Sequence, residues 1–403
     1  MKIAILFEHF GPYHVARLRA AVNACRHEEA TDKVIPIELF GKCETYTWNE
    51  IGQHQDIDAR IVFPDHDSTR VSPSEIRDSI RRLLNDIQPD VVFVHGWSLP
   101  GAVATIRWAN QNRTAVVVMS ESRAMDTTRR AVKEFIKRQI LGHTSAGFVG
   151  APSHEEYLKQ LGVPADGIFA GYNAVDNDYF QSKSAQVRAD EKGIRQRLFP
   201  PGFPQQYFFS SNRFVEKKNL QRLIEAYGHY RENATNPWGL VMAGDGPLRT
   251  ELVEQVESLS LQDSIHFPGF IQYDQLPSYY GLASAFVHVS TVEQWGLVVN
   301  EAAASKLPLV VSQTTGSAEC LVKQDQNGFL CDAFDTHSIT EALGNIASLS
   351  WERLDKMGMR SAQIVSDFGP QQFATGVLKA ANFAVKNPRR PNWISRAIVS
   401  LIS

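Results

Sequence analysis

Short, almost wholly apolar runs alternate along this chain with longer stretches whose apolar positions recur every three or four residues. The first kind, at 2–7 (Lys-Ile-Ala-Ile-Leu-Phe), 34–40, 91–95, 115–119 and 146–150, predicts buried strands. The second kind predicts helices from about His14, over 73–88 and 101–111, and from about 128 to 141. The 73–88 helix opens on a capping box, Ser72-Pro-Ser-Glu75, and its Ile76, Ile80, Leu83, Leu84 and Ile87 fall on one face. From Val175 to about Gln205 the rhythm breaks into a polar stretch, dense in charge at 187–197 and closed by Pro200-Pro-Gly-Phe-Pro204, which reads as a domain connection. A second alternation follows, with strands at 207–211, 240–243, 265–267, 285–289 and 309–312 and helices near 218–230, 247–259, 275–282 and 297–305. Such alternation predicts α/β architecture, two parallel sheets each covered on both faces. The expected divisions are 1–185, a linker at 186–205, a second domain at 206–370 and a helical tail at 371–403. Ligands of open parallel sheets bind beyond the carboxyl ends of the strands. Two Rossmann-like domains facing each other would therefore hold a site in the cleft between them.

Composition agrees with two ordinary cores. The chain has 403 residues, 43% hydrophobic and 21% charged, which disfavours disorder. Its net charge of −3 supplies no global field for nucleic acid. Cys25, Cys43, Cys320 and Cys331 form no C-x-x-C pair and read as reduced thiols of a cytoplasmic protein. The opening Met-Lys-Ile-Ala-Ile-Leu-Phe-Glu8 is not expected to be a signal peptide, and no apolar run is long enough to span a membrane.

Five loops that follow predicted strands carry candidate chemistry. After strand 285–289 come Glu293, Gly296 and Glu301, with a helix beginning at Gly296 or Leu297. A helix start offers free N–H groups to an anion, and glycine lets a phosphate approach the backbone. Carboxylates before and inside that helix can accept hydrogen bonds from sugar hydroxyls. The same spacing also suits a capping carboxylate followed by an ordinary exposed glutamate. Arg213 and Lys218, with Lys217 beside them, follow strand 207–211 and suit a diphosphate, or simply a solvated basic turn. Gly244-Asp-Gly-Pro247 reads first as a tight turn with Pro at the first helical position. Gly11 follows the first strand, and His95 ends the strand 91–95; each has a plain structural reading beside a ligand-binding one.

Taken together, these residues resemble glycosyltransferase family 4, group 1, of the two-domain GT-B fold. The family's E-x7-E motif is matched at Glu293 and Glu301, its Arg-x4-Lys element at Arg213 and Lys218, and its G-x-G-P turn at 244–247. Gly316-Ser-Ala-Glu319 and Asn327-Gly-Phe-Leu330 are similar to a later loop and its following turn. The resemblance is close over about 205–370 and loose over 1–180. It implies two domains across a cleft, with the C-terminal helix returning to the first. It implies a retaining hexosyl transfer from a nucleotide-diphosphate sugar, UDP-sugar before GDP-mannose, to a glycan or lipid-linked acceptor in polysaccharide or glycolipid synthesis. By position, Glu293 would hold sugar hydroxyls, Glu301 the ribose, and Arg213 and Lys218 the diphosphate, aided by the N–H groups of Gly296, Leu297 and Val298. His95 would contact the donor sugar, with Gly244 and Gly11 lining the site; where many members have paired glycines, this chain has Gly11-Pro12. Internal return, with the leaving phosphate as base, fits retention better than a carboxylate nucleophile.

No cofactor or metal is expected: Asp65-His66-Asp67 reads as a turn, and the cations already supply the countercharge. Residues 122–141, with six basic residues and one apolar face, and 389–403, with Arg389, Arg390 and Trp393, suit peripheral contact with the inner leaflet as well as ordinary packing. The rival readings are a nucleotide-sugar epimerase or phosphorylase of the same fold and a non-catalytic nucleotide-sugar binder.

Overall fold

The apolar runs do form two separate parallel sheets. The computed structural model describes residues 1–27, 33–42 and 57–402, so Cys43 lies outside the described residues. The chain divides into two units, 1–174 with 369–403, and 175–368.

In the first unit the elements run β1 (Lys2–Phe7), α1 (Pro12–His27), β2 (Lys33–Phe40), β3 (Arg60–Phe63), α2 (Pro73–Ile87), β4 (Val91–His95), α3 (Pro100–Asn112), β5 (Ala115–Ser120), α4 (Ala131–Leu141), β6 (Ala146–Val149), α5 (Pro152–Gln160) and β7 (Ile168–Ala170). The sheet order is β3-β2-β1-β4-β5-β6-β7, with every pairing parallel. Four successive residues of β4, Val91 to Val94, are buried, as expected of a strand covered on both faces. The capping box of α2 closes in both directions. Glu75 N–H donates to Ser72 Oγ at 3.3 Å, and Ser72 N–H donates to a Glu75 oxygen at 2.9 Å.

The second unit holds α6 (Asn177–Ala189), α7 (Glu191–Leu198), β8 (Tyr207–Ser211), α8 (Leu220–Asn233), β9 (Gly239–Ala243), α9 (Arg249–Ser258), β10 (Ile265–Gly269), α10 (Leu276–Leu282), β11 (Ala285–His288), α11 (Leu297–Ala304), β12 (Leu309–Ser312), α12 (Ala318–Leu321), β13 (Gly328–Cys331), α13 (Thr336–Ala347) and α14 (Trp351–Val365). Its sheet is β10-β9-β8-β11-β12-β13, again all parallel. Strand order reverses between β1 and β4 in one sheet and between β8 and β11 in the other. Such switch points open a crevice at the strand carboxyl ends.

Three expectations need correction. The polar stretch is not a linker at 186–205. The unit boundary falls at Ala174, and α6 and α7 belong to the second unit. Phe180, Ser184 and Val187 form a buried stripe at helical spacing on α6, which packs against α10 and α11, so the charges are the solvent face of helices. Helix α9 begins at Arg249, so Pro247 lies in the turn before it rather than at its first position. The segment after Asn327 is not a turn but strand β13. The tail does return. Helices α15 (Pro370–Lys386) and α16 (Trp393–Ile402) belong to the first unit, where α15 lays Phe373, Val377, Ala380, Ala381 and Ala384 against α1 and β4–β7.

Candidate active site

At the second switch point the loop after β8 meets the loop after β11. Residues 216–218 make one 3-10 turn, Asn219 takes the left-handed conformation, and α8 follows. Thr291 N–H donates to Lys217 O at 2.9 Å, and Asn219 Nδ2 donates to Val289 O at 3.1 Å. That lacing brings the Lys218 ammonium onto Glu293 Oε2 as a close ion pair with both side chains 14% exposed. Lys217 is exposed, so the structure selects Lys218 as the partner of Glu293. Arg213 is exposed, and its guanidinium makes no hydrogen bond or ion pair among the described residues.

A third group completes this cluster and was not singled out from the sequence. His288, the last residue of β11 and fully buried, places Nε2 at 3.4 Å from Glu293 Oε2 and 3.0 Å from Ser290 Oγ. Burial lowers its pKa and favours the neutral ring; the Glu293 carboxylate beside Nε2 can only accept, which selects the Nε2–H tautomer, while Nδ1 has no partner among the described residues. Burial alone would raise Glu293; the His288 N–H and the Lys218 charge outweigh it and hold the carboxyl well below its usual range. The signal was legible: β11 ends on an imidazole exactly as β4 ends on His95 in kind, an apolar strand with a polar tip.

Gly296 caps α11 with φ +92, which disfavours any side chain there. A Cβ there would lie 3.2 Å from Glu293 Cγ and 3.3 Å from Thr315 Cγ2. Backbone bonds fix the loop from the other side: Gly316 N–H to Glu293 O at 2.9 Å and Ser317 N–H to Trp295 O at 3.0 Å. Leu297 and Val298 supply first-turn N–H groups, the ordinary anion-binding donors of a helix start. Glu301, one turn on, is fully buried rather than open beside Glu293, and accepts a 2.6 Å hydrogen bond from Tyr280 Oη. No sequence pattern marked Tyr280. Gly244 has a packing role: with φ +129, its missing Cβ would fall 1.7 Å from Asn212 O.

His95 and Gly11 belong to the first unit and flank its own switch point, after β4 and β1. Burial, then the Arg17 charge, pushes His95 down to about 4, so it is neutral at pH 7. Its ring lies 5.9 Å from Phe7 and 6.3 Å from Tyr172. Gly11 N–H donates to His14 Nδ1 at 3.0 Å. Glu8, just past β1, is partly buried, and burial pushes its pKa up to about 7. Asp65-His66-Asp67 is a turn in which Asp67 Oδ1 takes the Thr69 N–H at 2.8 Å and its hydroxyl at 2.6 Å.

Comparison with known proteins places these features in a family. Residues 196–363 match the family "Glycosyl transferases group 1" and residues 40–173 match "Glycosyl transferase 4-like domain". A probable sucrose-phosphate synthase 1 of Oryza sativa is 28% identical over 190 residues, 43% of this chain and 17% of that protein. The alpha-monoglucosyldiacylglycerol synthase of Acholeplasma laidlawii is 27% identical over 166 residues, 40% of each chain. These alignments thus span well under half of the relatives' lengths. The crystal structure of Anabaena HepE in complex with UDP and glucose superposes with a TM-score of 0.72 at 15% identity, covering 94% of this chain and 98% of that one. With two parallel Rossmann-like sheets and both family matches in order along it, the chain belongs to the group 1 glycosyltransferases, family 4, of the GT-B fold.

Proposed function

We propose that this glycosyltransferase moves a hexose-type sugar, with retention and without a metal, from a nucleotide-diphosphate donor to a glycan or lipid-linked acceptor. The observation that carries this reading is the ionised Glu293, held between Lys218 and His288 directly ahead of the α11 N-terminus. In this reading the donor diphosphate takes Lys218 and Arg213 together with the N–H groups of Leu297 and Val298. Releasing Lys218 leaves Glu293 free to accept hydrogen bonds from sugar hydroxyls, while Glu301 serves the ribose and neutral His95 the donor sugar. The fixed cations offset charge that grows on the leaving phosphate, which then acts as base toward an acceptor on the same face. A neighbour solved with UDP and glucose and a relative named for a glucosyl glycolipid support a UDP-sugar donor and a lipid-linked acceptor. A thermal-shift screen of UDP, GDP, ADP and their sugars, followed by nucleoside diphosphate release, tests it. No stabilisation by any nucleotide would overturn the donor assignment.

A surface feature favours work at the inner face of a membrane. Among the described residues no helix is long and apolar enough to cross one. Helices α4 and α16 pack together, and they expose Val132 (71%) and Phe135 (50%) on one, Trp393 (77%) and Leu401 (84%) on the other. Lys133, Arg138 and Arg396 are exposed on the same two helices, and Arg130 is exposed at the cap of α4. The basic face is smaller than the sequence implied: Arg123 is buried against Asp126, and Lys137 is held by Glu134. Sedimentation with anionic but not neutral liposomes is the expected outcome, and equal recovery with both ends the membrane reading.

A further inference from the structure

The first unit contains a buried cation that no ion pair neutralises among the described residues. Arg17 sits on α1 at 2% exposure. Its Nε donates to Ala174 O at 2.8 Å and its plane lies 5.3 Å from the centre of the Tyr172 ring. These contacts use one N–H and one face of a group that has five N–H donors. The terminal nitrogen Nη2 is buried and bonded to nothing, and Arg17 forms no ion pair among the described residues. Glu121 and Tyr13 bear on its charge without a hydrogen bond to it. Arginine keeps its proton in proteins, so this is a charge withdrawn from water with no carboxylate hydrogen-bonded to it, an arrangement that is costly until an anion fills the gap.

The surroundings suit an anion rather than a structural carboxylate. His14, one turn before Arg17, accepts the Gly11 N–H on Nδ1, which leaves Nε2–H as a donor. Its ring lies 4.5 Å from Phe7, and Phe7 also touches His95, which in turn lies against Tyr172. Arg17, His14, His95 and Tyr172 are thus one cluster at the carboxyl ends of β1, β4 and β7. Burial and the Arg17 charge keep both rings neutral, so they do not compete with the guanidinium for the anion. A Cβ added at Gly11 would meet only His14 Nδ1, at 3.8 Å, so the backbone there is not packed against another element.

We propose that the first unit carries its own phosphate subsite, in which Arg17 binds the ligand's phosphate group beside the rings of His14 and His95. The phosphate is either the donor's diphosphate or that of a phosphorylated acceptor. Only this choice of source rests on the proposed transferase activity; phosphate binding itself does not.

The test uses inorganic phosphate against chloride at equal ionic strength, on the full chain carrying Arg213→Gln and Lys218→Gln so that the second unit's cations are silenced. The expected result is saturable stabilisation by a few degrees, with a saturable shift of the His95 ring resonance in histidine-labelled protein. Adding Arg17→Gln, which retains an amide donor for Ala174 O, should abolish both. A phosphate response that survives Arg17→Gln overturns the subsite, as does its absence from the parent variant. If Arg17→Gln does not fold, Arg17→Lys and the parent's His95 resonance decide. A saturable shift that Arg17→Lys weakens at least threefold supports the subsite, and an unmoved resonance or an unchanged response overturns it. With Arg17→Gln in the otherwise wild-type chain, a tenfold loss of UDP or GDP affinity assigns the phosphate to the donor. Unchanged nucleotide affinity with a raised acceptor KM assigns it to the acceptor. Loss of turnover in Glu293→Gln with the phosphate response intact would concern the second unit alone.

Discussion

The two switch points treat charge in opposite ways. At the second, between β8 and β11, a cation, a carboxylate and a neutral imidazole answer one another: Lys218 and His288 both reach Glu293. At the first, between β1 and β4, aromatic and imidazole rings surround Arg17, which has no ionic partner among the described residues. One site is neutralised internally and, in the function proposed above, opens its ion pair to take the donor's phosphates. The other has no ion pair among the described residues and, in the subsite proposed above, takes further counter-charge from what binds. Equivalent positions in two similar sheets can thus be charged for different tasks, exchange in one and capture in the other.

The largest expected effect comes from breaking the neutralised site. On the proposed function, Glu293→Gln should lower turnover on the order of a hundredfold to a thousandfold, the range for losing a fixed polar group at a reacting centre. It should also leave nucleoside diphosphate affinity equal or tighter, because Lys218 is released. Calorimetry that shows weaker diphosphate binding would contradict the exchange described for Lys218. Next, Gly296→Ala places a side chain at φ +92 and crowds Glu293 and Thr315. A loss of about 1–3 kcal/mol in unfolding free energy is expected from denaturant titration, together with weaker donor binding. Removing His288 sharpens the contrast further. Without its N–H, the upward push of burial on Glu293 is less opposed, so in His288→Ala the acid limb of the kcat profile should move to higher pH. An unmoved limb would make His288 a packing residue only.

The smallest effect lies at the first site. Glu8 has a folded pKa of about 7 against an ordinary 4.5. Between those values the folded state keeps a proton that the unfolded state has lost. Its stabilising protonated form is therefore fully present below 4.5 and lost as pH rises through 7. Glu8→Gln should flatten that part of the Tm profile and raise Tm modestly above pH 7, measured by scanning fluorimetry. A wild-type profile that does not fall across this window would contradict the buried carboxyl.

Most of this architecture was legible because burial writes itself into sequence as composition and period. Val91 to Val94 could be little other than a covered strand, and Ser72 with Glu75 marked a helix start to the residue. The α6–α7 segment was misread because its solvent face is dense in charge and its buried stripe consists of three residues, one of them a serine. The E-x7-E spacing found Glu293 and Glu301, but their different fates depend on neighbours distant in sequence, Lys218 for one and Tyr280 for the other. Arg17 was invisible for a related reason. Nothing in a helix's own pattern says that a charged residue on it has been folded inward.

The discontinuity of the first unit has a consequence for synthesis. Its sheet is drawn from residues 1–174, but α15, which covers β4 to β7, is translated only after the whole second unit. While the ribosome works through 175–368, the face that will receive Phe373, Val377, Ala380 and Ala384 has no cover from the chain. The second unit is continuous and can close as soon as it emerges, so the later-made half is free to reach its native state first. The nascent first half, with an apolar sheet face awaiting residues not yet made, is where a holdase chaperone would find its client.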